Sequence, residues 1–219
     1  MDYLDLHTHH ANEELGITSI ESLSITDDEF QGVSKTKLIS VGLHPWYASV
    51  DKLDLQMHNL SLIAAQKNVK LIGECGLDKL KGEAIENQVT ILEAQINLAE
   101  KLQKPLILHC VKAFDELIAI KQRLAVKVPM ILHGFNKNEE LGRQLLAKGF
   151  LLSFGSSVLQ ENFKNAKLIN GMDNFFLETD KSTNSIEEIY QVVAEIRKCS
   201  INDLKARIFA NWEKLILNP

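Results

Sequence analysis

The chain has 219 residues, 45% of them hydrophobic, and carries a formal net charge of −5. This size and composition fit one globular α/β domain with a substantial core, and they exclude an intrinsically disordered chain. The acidic balance disfavours a general nucleic-acid-binding module but not an enzyme that acts on nucleic acid, because bound metal ions can reverse the local field. No apolar run approaches the roughly 20 residues of a membrane helix, and the first residues lack the features of a signal peptide. We therefore expect a cytoplasmic protein with a single domain over residues 1–219.

Short apolar runs alternate with helical patterns along the chain. The predicted strands, in chain order, are residues 3–7, a weaker candidate at 22–26, then 38–43, 69–74, 106–109, 130–133, 150–154 and 174–178. The clearest predicted helix spans residues 84–103, and two later helices begin at capping boxes formed by Ser185 with Glu188 and, more weakly, Ser200 with Asp203. Seven or eight strands alternating with helices predict right-handed βαβ units and hence a (β/α) barrel.

Residues of types that bind metal ions lie at or just after the C-terminal ends of these predicted strands. His7 and His9 end the first strand, and they share a face because alternate residues of a strand point the same way. The other members of the set are Glu74, His109 and His133 at the ends of the fourth, fifth and sixth strands, and Asp180 after the last. Active sites of such barrels lie at the C-terminal ends of the strands. Four histidines and two carboxylates in this layer predict two divalent ions bridged by a carboxylate and a water.

His44 lies at the end of the third strand, within Gly42-Leu43-His44-Pro45. We expect its side chain to contact the substrate in preference to binding a metal ion. Trp46 and Tyr47 follow, and stacking on a nucleobase and ordinary packing are equally good interpretations of these two rings.

Other cysteines and histidines are predicted to lie outside the site. Cys75 and Cys110 directly follow Glu74 and His109, so strand alternation turns them away, and we interpret both as small packing residues. Three cysteines in all are too few and too scattered for a disulfide framework or a zinc ribbon. His10 is predicted in a loop near the mouth of the barrel, and His58 on the solvated surface.

Taken together, these motifs resemble the TatD-type metal-dependent hydrolase and deoxyribonuclease family. The matching blocks are Asp5-Leu6-His7-Thr8-His9, Gly42-Leu43-His44-Pro45, Gly73-Glu74-Cys75-Gly76-Leu77-Asp78, Leu108-His109, His133-Gly134-Phe135, Glu178-Thr179-Asp180 and the late Asn211. They occur in the family's order over nearly the whole chain. The resemblance implies a distorted TIM (β/α)8 barrel that hydrolyses DNA phosphodiester bonds with divalent metal ions.

The resemblance also assigns roles. One ion would be held by His7, His9, Glu74 and Asp180, and the second by Glu74, His109 and His133. Asp180 and Glu74 would be the catalytic carboxylates, with Asp180 orienting or deprotonating the attacking water, and His44 would touch the phosphate. The histidine-rich set favours zinc or manganese, whereas magnesium prefers oxygen ligands. We expect DNA as the substrate, trimmed from one end, and a monomer with no obligate protein partner and no membrane association.

The sequence also departs from the family pattern. Only 34 residues separate His9 from His44, so we expect the second βα unit to be trimmed. Lys79 stands where the family usually has an aromatic residue, and residues 181–184 replace the family's prolines. These loops shape the pocket, so the metal centre is better supported than the DNA substrate.

Three alternatives stay open. The first is an amidohydrolase or small-phosphoester hydrolase, although many amidohydrolases use a carboxylated lysine where this chain has Glu74. The second is the polymerase-and-histidinol-phosphatase class, which generally supplies a later Asp-x-His, and no histidine follows His133. The third is a metal-binding scaffold without catalysis, against which the intact ligand set argues.

Overall fold

The computed structural model describes residues 1–10, 14–25 and 33–217. The strands of this part are β1 (Tyr3–Thr8), β2 (Ile17–Ser24), β3 (Ile39–Gly42), β4 (Val69–Asp78), β5 (Leu106–Val111), β6 (Met130–Leu132), β7 (Phe150–Phe154) and β8 (Phe176–Leu177). The helices are α1 (Leu53–Ala64), α2 (Ile85–Leu102), α3 (Phe114–Arg123), α4 (Glu139–Ala147), α5 (Ala166–Asn170), α6 (Ile186–Arg197) and α7 (Ile201–Leu217). None of these helices combines the length and the apolar character needed to cross a membrane.

The strands follow one another in the sheet in chain order, from β1 to β8. The pairings of β1 with β2, β3 with β4, β4 with β5 and β7 with β8 are parallel. A further parallel bridge joins Thr8, at the end of β1, to Asp180, just after β8. Parallel strands in this order, with helices between them, form a nearly closed TIM-type (β/α) barrel, as the sequence predicts.

Residue contacts divide the described chain into two compact units. The terminal unit comprises the described residues of Met1–Glu21 and Ile131–Asn218, and the central unit comprises those of Ser22–Met130. In the terminal unit, α6 and α7 pack on β1, and the buried Tyr190 hydroxyl donates to Leu4 O at 3.1 Å and accepts from Leu4 N at 3.2 Å. In the central unit, α2 packs on β4, and Leu92, Ile96 and Ala99 of its predicted apolar face are buried. The prediction of a single domain stays a prediction.

Several predicted boundaries are confirmed. Ser185 and Glu188 form the capping box of α6, with both reciprocal hydrogen bonds present. The Ser200 hydroxyl accepts from Asp203 N at 3.1 Å and donates to the Asp203 carboxylate at 2.7 Å at the start of α7. The predicted helix at 84–103 is α2, one residue shorter at each end.

The strands β2, β4 and β8 differ most in extent from their predictions, whereas each of the others agrees to within two residues at either end. β2 runs from Ile17 to Ser24 instead of 22–26, and Thr26 lies outside the described residues. Its side chains are mostly half-buried, so the apolar signal that marks the other strands is weak there. β4 continues four residues past Glu74 to Asp78, whereas β8 has only two residues. No helix is present at residue 25 or at 33–38, the described part of the shortened β2–β3 connection; residues 26–32 lie outside it.

Candidate metal-binding clusters

The terminal unit carries a first cluster, the terminal cluster, which comprises His7, His9, His133 and Asp180. Backbone hydrogen bonds fix its carboxylate: Asp180 N donates to His7 O at 2.9 Å, and His9 N donates to Asp180 O at 2.9 Å. Asp180 adopts a left-handed conformation with φ of 53°, uncommon for a residue other than glycine. Its Oδ1 atom consequently lies 3.7 Å from His7 Nε2 and 3.5 Å from His9 Nε2.

The donor atoms of the terminal cluster converge. The imidazole rings of His7 and His9 lie 5.2 Å apart between centroids, and those of His7 and His133 lie 4.5 Å apart. His7, His133 and Asp180 each offer one ligand atom within 4.8 Å of the other two. The His7 side chain is fully buried, whereas 40% of the Asp180 side chain is exposed. The carboxylate is therefore the part of this cluster that solvent reaches most freely.

A second carboxylate in the terminal unit holds His133 in place. Glu178 is fully buried, and its Oε1 atom accepts from Gly134 N at 2.7 Å and lies 3.2 Å from His133 Nδ1. Burial alone would raise the pKa of Glu178, but the His133 ring and its charge outweigh it and lower the pKa. A carboxylate that hydrogen-bonds one ring nitrogen of a histidine orients the ring so that the other nitrogen can bind a metal ion. The predicted site did not include Glu178, although it stands two residues before Asp180.

Asp5 connects β1 with the segment that carries Asp180. Its carboxylate accepts from Thr179 N at 2.9 Å and from Thr179 Oγ1 at 2.6 Å, and that hydroxyl also lies 2.9 Å from Thr8 Oγ1. Burial raises the pKa of Asp5 to about 7, although the hydrogen bonds from Thr179 act in the opposite direction. This buried linkage sets the position of the chain immediately before Asp180.

The central unit carries a second cluster, the central cluster, which comprises His44, Glu74 and His109. Glu74 Oε1 lies 3.1 Å from His44 Nε2 and 2.9 Å from His109 Nδ1, and all three residues offer ligand atoms within 4.8 Å of one another. Gly76 permits the close approach of β4 to β5, because a Cβ atom there would lie 1.9 Å from the His109 carbonyl oxygen. Its φ of 140° also favours glycine. The Gly-Glu-Cys-Gly block thus brings Glu74 to His109.

Asp78 supports the central cluster from the same strand as Glu74. Its Oδ2 atom lies 3.2 Å from His109 Nε2 and accepts from Trp46 Nε1 at 2.7 Å, while Oδ1 accepts from Leu80 N at 2.8 Å. Burial would raise the pKa of Asp78, but these hydrogen bonds outweigh it and lower the pKa. The predicted site did not include Asp78. Its spacing of four from Glu74 was the available signal, because residues i and i+4 of a strand share a face.

His44 and Lys79 are the other two positions that the sequence singles out near the site. His44 belongs to the central cluster, within reach of a shared ion, so it is a candidate ligand as well as a candidate substrate contact. Its role and those of the six expected ligands stay predictions. Lys79, which replaces an aromatic residue of the family, forms an ion pair with Glu116 of α3, with 2.5 Å between Nζ and Oε1.

The residues predicted to lie outside the site have the following surroundings. Cys75 is fully buried with its thiol 3.7 Å from Ile107 O, and burial raises the pKa of that thiol. Cys110 is half-buried, and His58 is exposed on α1. His10 lies in an exposed loop, where its Nε2 atom is 2.9 Å from Ser182 O.

The donor chemistry of both clusters fits divalent ions. Each combines imidazole nitrogens with carboxylate oxygens, a set that zinc and manganese accept, and the donor atoms lie close enough to close around one ion with small side-chain movements. Asp78 and Glu178 supply the outer hydrogen bonds that ligating histidines need.

A parallel (β/α) barrel with such clusters at the C-terminal ends of its strands defines a metal-dependent hydrolase. A family model described as TatD related DNase matches residues 16–217, and the chain belongs to this family. The expected family is thereby confirmed.

Two relatives illustrate the range of the match. A Bacillus subtilis protein named as an uncharacterised metal-dependent hydrolase, YabD, is 26% identical over 197 residues, which cover 80% of this chain and 76% of that protein. A Pantoea protein named 3′-5′ ssDNA/RNA exonuclease TatD is 34% identical over 124 residues, 56% of this chain and 47% of that protein. The chain therefore spans only about half the length of that exonuclease relative.

Solved structures of the family share the fold. The TatD homologue YjjV of Escherichia coli K12 superposes with a TM-score of 0.80 at 19% identity, covering 99% of this chain and 98% of that one. A TatD family hydrolase of Entamoeba histolytica gives a TM-score of 0.79 at 16% identity, covering 100% and 99%. These likenesses confirm the barrel fold.

Proposed function

We propose that the protein is a divalent-metal-dependent deoxyribonuclease that removes nucleotides from one end of single-stranded DNA. The observation that carries the proposal is the pairing, in a member of the TatD-related family, of two histidine–carboxylate clusters at strand ends. The name of the exonuclease relatives supports the substrate class. Glu74, at the β4 position where many amidohydrolases carry a modified lysine, favours the nuclease over that alternative.

In this proposal the terminal cluster prepares the attacking water. His7 and His133 lie beside Asp180, and His133 is oriented by the buried Glu178. Asp180 presents a carboxylate that is partly open to solvent and fixed through its backbone, so it can accept a proton without moving its main chain. A positioned carboxylate of this kind contributes about 10²–10⁴-fold to a hydrolysis rate.

The central cluster would bind the phosphate of the substrate. Glu74 and Asp78 both bond His109, so the ring has a fixed orientation. His44, which bonds Glu74, presents its imidazole beside them and would contact a phosphate oxygen. Divalent ions held by these clusters would supply positive charge that acidifies water and neutralises phosphate oxygens. The expectation that Glu74 serves both ions stays a prediction.

The test uses protein stripped of metal with EDTA and single-stranded oligonucleotides labelled at the 5′ or the 3′ end. With Mn²⁺ or Mg²⁺ restored, stepwise shortening from one end and release of nucleotides with a 5′-phosphate are expected, and the two labels give the polarity. Asp180→Asn should slow the shortening by about 10²–10⁴-fold, whereas the control His58→Gln, which alters an exposed histidine on α1, should not. An intact oligonucleotide in the presence of bound metal would contradict the proposal.

A further inference from the structure

The loops after β3 and β4 expose large apolar side chains beside the central cluster. Tyr47 is 55% exposed, and Leu80 is 66% exposed. The Tyr47 ring centroid lies 5.5 Å from that of His44, and the Trp46 ring stands edge-on to His44 at 4.8 Å. Both side chains are therefore accessible to a ligand that binds at the central cluster.

Two buried glutamines hold these loops. Gln88 Oε1 accepts from Asp78 N at 2.7 Å, and its Nε2 donates to Asp78 O at 2.9 Å and Lys81 O at 3.1 Å. Gln95 does the same for the other loop, accepting from Leu43 N at 2.7 Å and donating to Leu43 O at 3.1 Å. A surface fixed in this way loses little conformational entropy when a ligand binds.

The loops also meet each other directly. A Cβ atom on Gly82 would lie 2.2 Å from Pro45 O, so the β4 loop fits against the β3 loop only with glycine at this position. The Lys81 ammonium lies 3.7 Å from the centroid of the Trp46 ring, and the Trp46 indole donates to Asp78. Trp46 is thus held at its edge and covered on one face, and Tyr47 is the more exposed of the two rings.

We propose that Tyr47 stacks on an unpaired nucleobase of a single-stranded substrate and that Lys81 binds the phosphate next to that base. The proposal rests on the proposed nuclease function and names the subsite that holds the strand. The Tyr47 ring centroid lies 6.3 Å from that of Trp46, the ring that the Lys81 ammonium covers. An exposed aromatic ring and a cation on the adjoining loop meet the two requirements of single-strand binding, a platform for the π-face of a base and a positive charge for the backbone. Leu80, on the same loop as Lys81, adds apolar surface.

The test measures binding without cleavage. Metal-free protein in EDTA is titrated into a fluorescein-labelled thymidine decamer, and into a decamer of the same charge in which abasic residues replace the bases, with anisotropy giving Kd. The wild type should bind the base-containing decamer at least about 5-fold more tightly, the low end of one stacked base. Tyr47→Ala should remove this preference, and Tyr47→Phe, which keeps the ring, should retain it.

Two controls separate stacking from general effects. Leu62→Ala, which removes another exposed apolar side chain, from α1, should leave both Kd values unchanged. Lys81→Gln should weaken binding of both decamers by a similar factor and reduce the salt dependence by about one phosphate contact. Equal binding of the two decamers by the wild type, or an unchanged preference in Tyr47→Ala, would overturn the stacking site.

The outcome is distinguishable from failure of the nuclease proposal. A base preference that depends on Tyr47, in a protein that leaves DNA intact with metal bound, supports the stacking site and removes the nuclease function. Cleavage of DNA by a protein in which Tyr47→Ala binds like the wild type overturns the stacking site alone.

Discussion

The two clusters differ in how their carboxylates are placed. In the terminal cluster, Asp180 is fixed through its backbone while 40% of its side chain is exposed. In the central cluster, Glu74 is 5% exposed, and its carboxylate bonds two histidines. Asp78, 3% exposed, bonds His109 from the other side. The difference separates a partly solvated carboxylate from buried carboxylates that bond histidines.

The largest expected effect follows from neutralising the exposed carboxylate. Asp180→Asn keeps the backbone bonds to His7 and His9 but removes the proton acceptor, so kcat for oligonucleotide cleavage should fall by about 10²–10⁴-fold. The thermal unfolding midpoint should change little, because the altered atoms are partly solvated. Steady-state rates at saturating metal and a melting curve measure the two quantities. A rate within twofold of the wild type would place the proton acceptor elsewhere.

Glu74→Gln should lower activity mainly through loss of metal. The amide keeps the shape but not the charge that holds His44 and His109, so bound metal per chain should decrease before kcat at saturating metal does. Elemental analysis after dialysis, paired with rates over a metal titration, separates the two. Full metal content in an inactive variant would show that Glu74 acts in the chemistry and not in holding the ion.

The supporting carboxylates should give smaller effects. Asp78→Asn and Glu178→Gln each leave the histidine in place but weaken its orientation, and such changes typically cost 10–100-fold in metal affinity or activity. Excess metal should restore more of the activity in these variants than in Asp180→Asn. Activity measured against metal concentration provides the check, and no rescue at any concentration would argue against an orienting role.

Asp5→Asn should have the smallest effect on activity but a measurable effect on stability. The folded-state pKa of Asp5 is raised to about 7 from an ordinary value near 4, so its contribution to stability is fully present below about pH 4 and is lost as pH rises through 7. The loss is at most about 4 kcal/mol. Asp5→Asn should flatten the stability profile between pH 4 and 7, as measured by denaturant unfolding in EDTA. Parallel profiles for the two proteins would rule out this cause.

The sequence predicted the parts of the fold and site that have strong local signals. The apolar runs gave β1, β5 and β7 nearly to the residue, and the capping box located the start of α6. β2 was misplaced because its side chains are half-buried and its apolar pattern is weak.

The candidate ligands could be predicted because each follows an apolar strand. The hydrogen bonds of Asp78 and Glu178 could not, since they depend on which ring nitrogen faces which carboxylate after folding. The backbone hydrogen bonds of Asp180 with His7 and His9 likewise join residues more than 170 positions apart, and no local sequence pattern predicts them.

The central claim is that each cluster is a metal site, and metal stoichiometry tests it most directly. Protein saturated with Mn²⁺ and freed of excess ion should retain two ions per chain by elemental analysis. His133→Ala, in the terminal cluster, and His109→Ala, in the central cluster, should each retain one, with folded structure verified by circular dichroism. One ion in the wild type, or the loss of both in either folded variant, would contradict two separate sites.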